Sequence, residues 1–521
     1  AALRRWAEET ETGDRDDLPE PVDGRVWRAF SVSGRECVGR SKCPVGEECF
    51  AEAARDAAAA ADIVVANHTL LAIELSSENE VLPDFDVAVI DEAHELVARM
   101  TQASTESLTA AGLAEAGRRA AGLLSEGAAR RWQEAADAFS AAMLRTLADA
   151  TGADARIRQA PEDLVRCLAQ VRDAAHEGLT ELAARSDDQA VSRQQAAVAV
   201  LTEAHDRAGL LLREDTGLVR WGSPDPLGMA AAPLQVGHLL AEGLLSKGAV
   251  VATSATLRLG GSFDELAQAW GLTGPGVDLD APPVAAPANG ATGTWARTDV
   301  GSPFDYRRQA MLYVPRDLPA PGRHPIAEVA LSRMTALIRA AGGRTLVLAA
   351  SWRAVDAIAE HLRDAAIPDV ALLVQERGSP AGPLVAAFAA DESSVLVGTR
   401  SLWQGVDVPG PSCTCVIMDK IPFPRPDDPL LAARSEAAAA AGSSGFAAVS
   451  LPHAGLLLAQ GSGRLIRSDR DRGVVAILDP RLVQRGYGPY LLDSMPDMWR
   501  TSDTSVVLAG LQRLRAASDA P

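Results

Sequence analysis

Short apolar runs that each give way to polar residues occur in two stretches of the chain, and a long block with helical spacing interrupts the first of them. The runs of the first stretch are 62–66, 87–90 and 248–257, with an Ala-rich helical pattern over 51–61. A short run bounded by polar residues reads as a strand of a parallel α/β sheet, and chemistry in such sheets gathers where the strands end. From 107 to 213 the spacing turns wholly helical, rich in Ala, Leu, Arg and Glu, which predicts a helical domain inserted into the first α/β unit. A Pro/Gly/Ala-rich stretch over 274–293 predicts a linker or long surface loop. Beyond it strands are expected at 344–349, 395–398, 414–419 and 473–479, separated by helical patterns such as 354–365 and 383–390. The fold class that follows is α/β, with two sheet-bearing units and no internal repeat.

At 521 residues the chain exceeds what one hydrophobic core serves, so several domains are expected. Hydrophobic residues make up 47% and charged residues 23%, the balance of a packed protein rather than a disordered one. Fifty Lys and Arg against 69 Asp and Glu give a formal charge of −19, which excludes a general basic field, so any DNA contact has to be local. No apolar run approaches the length of about 18 residues that a spanning helix needs, and no secretory leader pattern opens the chain. The expectation is a cytoplasmic protein with no membrane partner. Six cysteines cannot scaffold a chain this long, and three of them, Cys37, Cys43 and Cys49, crowd into one short stretch, which points to a metal site. Cys413 and Cys415, two apart on an apolar run, share one face and read as core, as does Cys167 in its helical stretch.

A strand ending in Asp91-Glu92 can serve a nucleotide: the first carboxylate holds Mg²⁺ and the second orients and deprotonates an attacking water. The plain alternative is a helix start capped by Asp91. His94-Glu95 does not open a zinc-protease motif, because Ala98 stands where a second His is required. Ser254 and Thr256, in Thr253-Ser254-Ala255-Thr256, supply small hydroxyls that either couple those carboxylates to a moving partner or cap a turn. In Gln460-Gly-Ser-Gly463-Arg464-Leu-Ile-Arg467 two arginines lie three apart, so one helix face or helix start can present both to a polyphosphate. Thr399, Trp403, Gly405 and Asp407 fall in a strand-then-loop segment, 397–410, suited to meet a sugar–phosphate backbone through main-chain N–H groups. Ser351-Trp352, at another strand end, offers a hydroxyl for phosphate and a ring for stacking. Each of these segments also reads as a packed loop, and tryptophan is more often core than platform.

Taken in order, Asp-Glu-Ala-His, Ser-Ala-Thr, Ser-Trp, Gly-Thr with Gly-x-Asp, and Gln-x-x-Gly-Arg-x-x-Arg resemble motifs II to VI of superfamily 2 helicases. The cysteine cluster before the first motif and the helical block after it resemble the DinG/XPD branch, bacterial DinG-like. Asn67-His68-Thr69-Leu70, Ser302-Pro303-Phe304-Asp305-Tyr306 and Gly405-Val-Asp407-Val-Pro409-Gly410 extend the likeness over nearly the whole chain. The resemblance implies two RecA-like helicase domains, the first carrying an iron–sulfur insert and a helical arch. Its domains would be a partial iron–sulfur insert at 1–60, helicase domain 1 at 61–104, the arch at 105–215, the remainder of domain 1 with a linker at 216–295, and helicase domain 2 at 296–521. It implies ATP-driven 5′→3′ translocation on single-stranded DNA, unwinding at duplex junctions, a DNA-repair role and a monomer; protein partners are not legible.

Carried over by motif, Asp91 would hold Mg²⁺ and Glu92 would be the general base, while Arg464 and Arg467 would approach the γ-phosphate with Gln460 and Gly463 beside them. His94, Ser254 and Thr256 would serve ATP binding and coupling, Gly405 and Asp407 would join nucleotide and DNA sensing, and Ser351, Trp352, Thr399 and Trp403 would meet DNA. Gln404 departs from the Glu frequent at its position. The implied cofactors are ATP, Mg²⁺ and a 4Fe–4S cluster on Cys37, Cys43 and Cys49. Such a cluster takes four thiolates, and no G-x-x-x-x-G-K-[ST] phosphate loop occurs in the chain. Both missing pieces precede this region in the family, so the expectation is an N-terminally truncated form that neither hydrolyses ATP well nor holds an intact cluster. Zinc is the alternative metal, although gaps of five are not its usual pattern. The competing class is a non-catalytic nucleic-acid-binding scaffold, against which the intact Asp91-Glu92 and Arg464/Arg467 argue.

Overall fold

The computed structural model describes all residues except 1, 19–21, 29, 33, 35–36, 38, 44, 77–80, 150–154, 186–190, 216, 273, 275, 281–294, 323–325, 404–407, 409 and 519–521. Packing divides the chain into two units, one of Ala1–Ile90, Glu95–Ala252 and Pro426–Ala433, the other of Asp91–His94, Thr253–Arg425 and Arg434–Pro521. The division cuts across the expected boundary at 295, because the residues after Ala252 and the four after Ile90 go with the second unit.

The strands of the first unit are β1 (Val87–Ile90), β2 (Glu106–Thr109), β3 (Leu218–Pro224), β4 (Leu227–Pro233) and β5 (Ala249–Ala252). β1 and β5 run parallel, Val87 opposite Ala249 and Ile90 opposite Ala252. The expected strand at 62–66 does not form: the segment has no ladder, with Ile63 83% and Val65 94% exposed. An apolar run becomes a strand only where a neighbour completes its hydrogen bonds, and among the described residues neither β1 nor β5 pairs with it. The helical block is borne out by Ala110–Ala120, Glu126–Asp149, Glu162–Ala183 and Val191–Leu212. Leu164, Leu168, Val171, Ala175 and Leu182 make one buried stripe at helical spacing, facing Phe139 and Leu201. Trp132 is buried there and donates Nε1–H to Leu113 O at 3.1 Å, so its polar atom is satisfied. The block is not wholly helical, however. Its start is β2, which joins β4 and β3 in an antiparallel sheet ordered β2-β4-β3. Glu-Ser-Leu-Thr is too short and polar to show as an apolar run, and the pairing with β4 makes it a strand.

In the second unit β6 (Val277–Asp278) and β7 (Ala296–Arg297) form a short parallel pair. They are followed by β8 (Ala310–Tyr313), β9 (Thr345–Leu348), β10 (Ala371–Val374), β11 (Ser394–Gly398), β12 (Cys415–Met418), β13 (Gly473–Ile477) and β14 (Trp499–Thr501). These seven make one parallel sheet in the order β10-β11-β9-β12-β13-β8-β14. The four expected strands are its centre, and β8, β10 and β14 were not read from the sequence. Most of the expected linker, 281–294, lies outside the described residues.

Both faces of this sheet are covered. Leu346, Leu348, Leu396, Val416, Met418, Val475 and Ile477 point to one core, which takes Leu457 and Leu458 from the helix Leu451–Ser462. Val347, Val395, Val397, Cys415, Ile417, Val474 and Ala476 point to the other, with Met334, Leu337 and Ile338 from the helix Glu328–Ala341 and Val507 and Leu511 from Thr504–Ser518. Strands buried on both sides have to be continuous apolar runs, which is why these were legible. Cys413 and Cys415 are buried as expected but do not share a face: Cys413 belongs to the first core and Cys415 to the second. The strand begins only at Cys415, so the two-residue alternation does not reach back to Cys413.

Candidate functional site

β1 delivers Asp91 and Glu92 at its end, and β5 delivers Ser254 and Thr256 at its own. Ala93 donates its N–H to Thr253 O at 3.0 Å, which locks the two segments together just past the strands. Glu92 has a φ of +46°, in the left-handed region that a residue with a Cβ rarely adopts. Strain of this kind persists where surrounding bonds hold it, and here the Glu92 N–H is held by Asp91 Oδ1 at 2.9 Å. That bond also disposes of the capping alternative. Asp91 accepts from its immediate neighbour, and the following helix Leu96–Ala103 has Glu95 at its N-cap position with no side-chain cap.

His94 is the hub. Its side chain is 7% exposed, and Nδ1 lies 2.8 Å from Ser254 Oγ, 3.1 Å from Thr256 Oγ1 and 3.3 Å from Glu92 Oε2. Its Nε2 lies 2.6 Å from Gln460 Nε2. The Gln460 amide and the His94 ring pair there, with donor and acceptor set by the ring's tautomer and the amide's orientation. Ser254 Oγ in turn donates to Glu92 Oε2 at 2.8 Å. A continuous line of hydrogen bonds therefore runs from Gln460 through His94 and Ser254 to the Glu92 carboxylate. The bond to His94 does most to lower the Glu92 carboxyl, with help from Ser254 and the charge of Arg464; against the opposing effect of burial they hold it at about 2. Glu92 is thus ionised at neutral pH.

Gln460 closes the helix Leu451–Ser462, and Gly463 caps it with an N–H to Ala459 O at 2.9 Å. Arg464 and Arg467 follow in the turn and loop beyond, not on a helix face or at a helix start as expected. The glycines end the helix too early for the i,i+3 spacing to count. Arg464 donates Nε–H to Trp403 O at 2.8 Å. Arg467 is positioned by a residue that sequence reasoning missed: Asp471, 8% exposed, accepts the N–H groups of Arg467 and Ser468, each at 2.7 Å, and that of Gly410 at 3.2 Å. Gln309 was missed too. Its amide donates to Ser468 O at 3.0 Å and to Asp471 O at 3.2 Å, tying the segment after Tyr306 to the same loop. Ser468-Asp-Arg-Asp471 looks in sequence like any solvated charge run, and nothing local marks Asp471 as a buried acceptor.

The expected DNA contacts fare differently. Ser351 Oγ accepts from Ala354 N at 3.2 Å and caps the helix Trp352–Ala365. Trp352 is partly buried, with the Arg377 guanidinium 5.7 Å from its ring centroid. Thr399 is buried and gives its hydroxyl to Gln375 Oε1 at 3.3 Å. Trp403 is 1% exposed inside the core, so it is a packing residue and not a stacking platform. Gly405 and Asp407 lie outside the described residues.

Mg²⁺ asks for one or two carboxylates and takes its remaining ligands from water and phosphate, which suits Asp91, exposed at a strand end. An iron–sulfur cluster asks for more. Cys37 is exposed and Cys43 and Cys49 are half-buried, and among the described residues no three His, Cys, Asp or Glu side chains converge as a metal site would. Cys37, Cys43 and Cys49 are the residues that would hold a cluster.

A family model for a helicase C-terminal domain matches residues 334–498. The chain is 44% identical to the ATP-dependent helicase DinG of Mycobacterium tuberculosis (strain ATCC 25177 / H37Ra), over 99% of this chain and 76% of that protein. It is 32% identical to the ATP-dependent DNA helicase YoaA of Escherichia coli (strain K12), over 96% and 77%. A solved XPD helicase structure superposes with a TM-score of 0.52 at 15% identity, covering 82% of this chain and 72% of that one, which supports the RecA-like α/β fold alone. No helix among the described residues is long and apolar enough to cross a membrane. With that identity sustained across nearly its whole length, the chain belongs to the DinG family of ATP-dependent helicases.

Proposed function

We propose that this protein couples ATP hydrolysis to 5′→3′ movement along single-stranded DNA and to duplex unwinding in DNA repair. The observation that carries the reading is the unbroken line of hydrogen bonds from Gln460 through His94 and Ser254 to Glu92. It ties the carboxylate suited to activating water to the helix Leu451–Ser462, whose following turn and loop carry Arg464 and Arg467. A shift of that helix would change the donors reaching Glu92, which is what coupling of hydrolysis to motion requires.

Asp91 is the residue suited to hold Mg²⁺, which when bound would supply neutralisation of the nucleotide's phosphate charge. Glu92 would orient the attacking water, its carboxylate kept ionised by His94 and Ser254. Arg464 and Arg467 would meet the charge developing on the γ-phosphate. Polarity and the repair role rest on family resemblance. The test is ATP hydrolysis by the full-length protein with and without single-stranded DNA. Hydrolysis that rises with DNA and depends on Glu92 supports the reading. DNA binding without hydrolysis overturns it in favour of a scaffold.

A further inference from the structure

We propose that Phe423, Phe446 and Tyr487 form a stacking platform for the bases of single-stranded DNA, with Arg481 fixed beside it to meet a phosphate; this rests on the helicase reading above. All four residues belong to the second unit. Phe423 follows β12, Tyr487 follows β13, and Phe446 opens the π-helical turn Phe446–Ser450 that leads into Leu451–Ser462. The rings form a closed trio, with centroids 5.4 Å apart for Phe423 and Phe446, 5.7 Å for Phe423 and Tyr487, and 5.4 Å for Phe446 and Tyr487.

Two of the three are anchored. Phe423 and Tyr487 pack their inner sides on the core, which holds them rigid. Phe446 stands outermost at 43% exposure, so the trio presents apolar ring surface to solvent. An isolated exposed Phe needs no explanation, but one backed by two further rings and flanked by a guanidinium held in place does. Arg481 supplies the first cation. Its Nε and Nη2 donate to Asp479, at 2.9 Å to Oδ1 and 2.6 Å to Oδ2, and Asp479 is fully buried. The guanidinium carbon then lies 5.8 Å from the Phe423 ring centroid, and Nη1 has no hydrogen-bond acceptor among the described residues. Arg485 is exposed and its charge is felt at Tyr487.

Rigid aromatic faces with adjacent guanidiniums are how sequence-tolerant single-strand binders hold bases and backbone together. Charge complementarity selects the occupant: Asp479 balances the Arg481 charge, so the exposed Arg485 gives the ring cluster its net positive charge in a chain of net charge −19, which suits a polyanion with π-faces.

The experiment is fluorescence anisotropy on the full-length protein at fixed salt, with an oligothymidine and with a matched oligomer carrying abasic sites in place of its central bases. Wild type is expected to bind the oligothymidine more tightly than the abasic strand. Phe446→Ala should weaken oligothymidine binding roughly tenfold or more while barely changing the abasic strand, and Phe446→Trp should restore it. Thermal melting of both variants checks that the fold is kept. Equal losses on both strands, or no loss on either, would overturn the platform while leaving the helicase reading intact. A wild type that ignores single-stranded DNA altogether would overturn both.

Discussion

The central strands of the seven-stranded sheet and the pair β1 and β5 are written in the same residues, yet they meet different surroundings. Leu346, Leu396 and Val416 are completely buried, whereas Val87, Val89 and Val251 are 58%, 66% and 53% exposed. A run of β-branched and aliphatic residues specifies a strand. It does not specify what will cover it, because coverage comes from neighbouring strands and helices brought in from elsewhere in the chain. In the described residues the broad sheet has those neighbours on both faces, and the narrow one has a single partner strand. The narrow sheet nonetheless leads into the strained Glu92 and the Ser254/Thr256 hydroxyls, so the candidate site follows the strands with the less buried apolar surface.

The sharpest way to break that division of labour is Glu92→Gln. DNA-stimulated ATP hydrolysis should fall roughly a hundredfold or more. The thermal midpoint should barely move, since the side chain is 57% exposed. Full hydrolysis in the variant would show that the narrow sheet does not lead into the chemistry. Core truncation probes the other side: Leu396→Ala should cost about 2–5 kcal/mol in urea denaturation and Val251→Ala under about 1 kcal/mol. Equal costs would mean that β5 is as enclosed in solution as β11.

A third test uses pH. Burial pushes the Asp419 carboxyl up to about 6, against 3.8 for a free aspartate, although Ala350 N donates to it at 2.8 Å. An acid whose folded value is raised favours the folded state while both forms are protonated. That advantage is full below about pH 4 and disappears as the pH climbs to about 6. Asp419→Asn keeps an acceptor for Ala350 and should flatten this slope, relieving roughly 2–3 kcal/mol at pH 8 and little at pH 4. A variant with an unchanged pH profile would remove Asp419 as the cause. The smallest effect concerns Ser351→Ala, which removes a helix cap and should cost about 1 kcal/mol with single-stranded DNA affinity unaltered. Lost affinity at unchanged stability would return Ser351 to the DNA-binding role read from the sequence.

Much of the candidate site was legible because each part lies at the end of an apolar run or in a short motif. Asp91-Glu92, Ser254, Thr256 and Gln460 could be picked out in that way, and the structure brings Glu92, Ser254, Thr256 and Gln460 together around His94. What stayed hidden is whatever depends on a distant partner. Asp471 looks solvated until the N–H groups of Gly410, Arg467 and Ser468 converge on it. Trp403 looks available until the core closes over it.

By itself the sequence determined the helical block, the four central strands of the broad sheet and the order of the motifs, because each is encoded by spacing within a few residues. The tertiary structure alone decided the strand order, the opposite faces of Cys413 and Cys415, the pairing that makes β2 a strand, and the exposed fate of 62–66. The reason is that periodicity reports how a segment's side chains are disposed about its own axis, while burial and hydrogen-bond completion are properties of what packs against it.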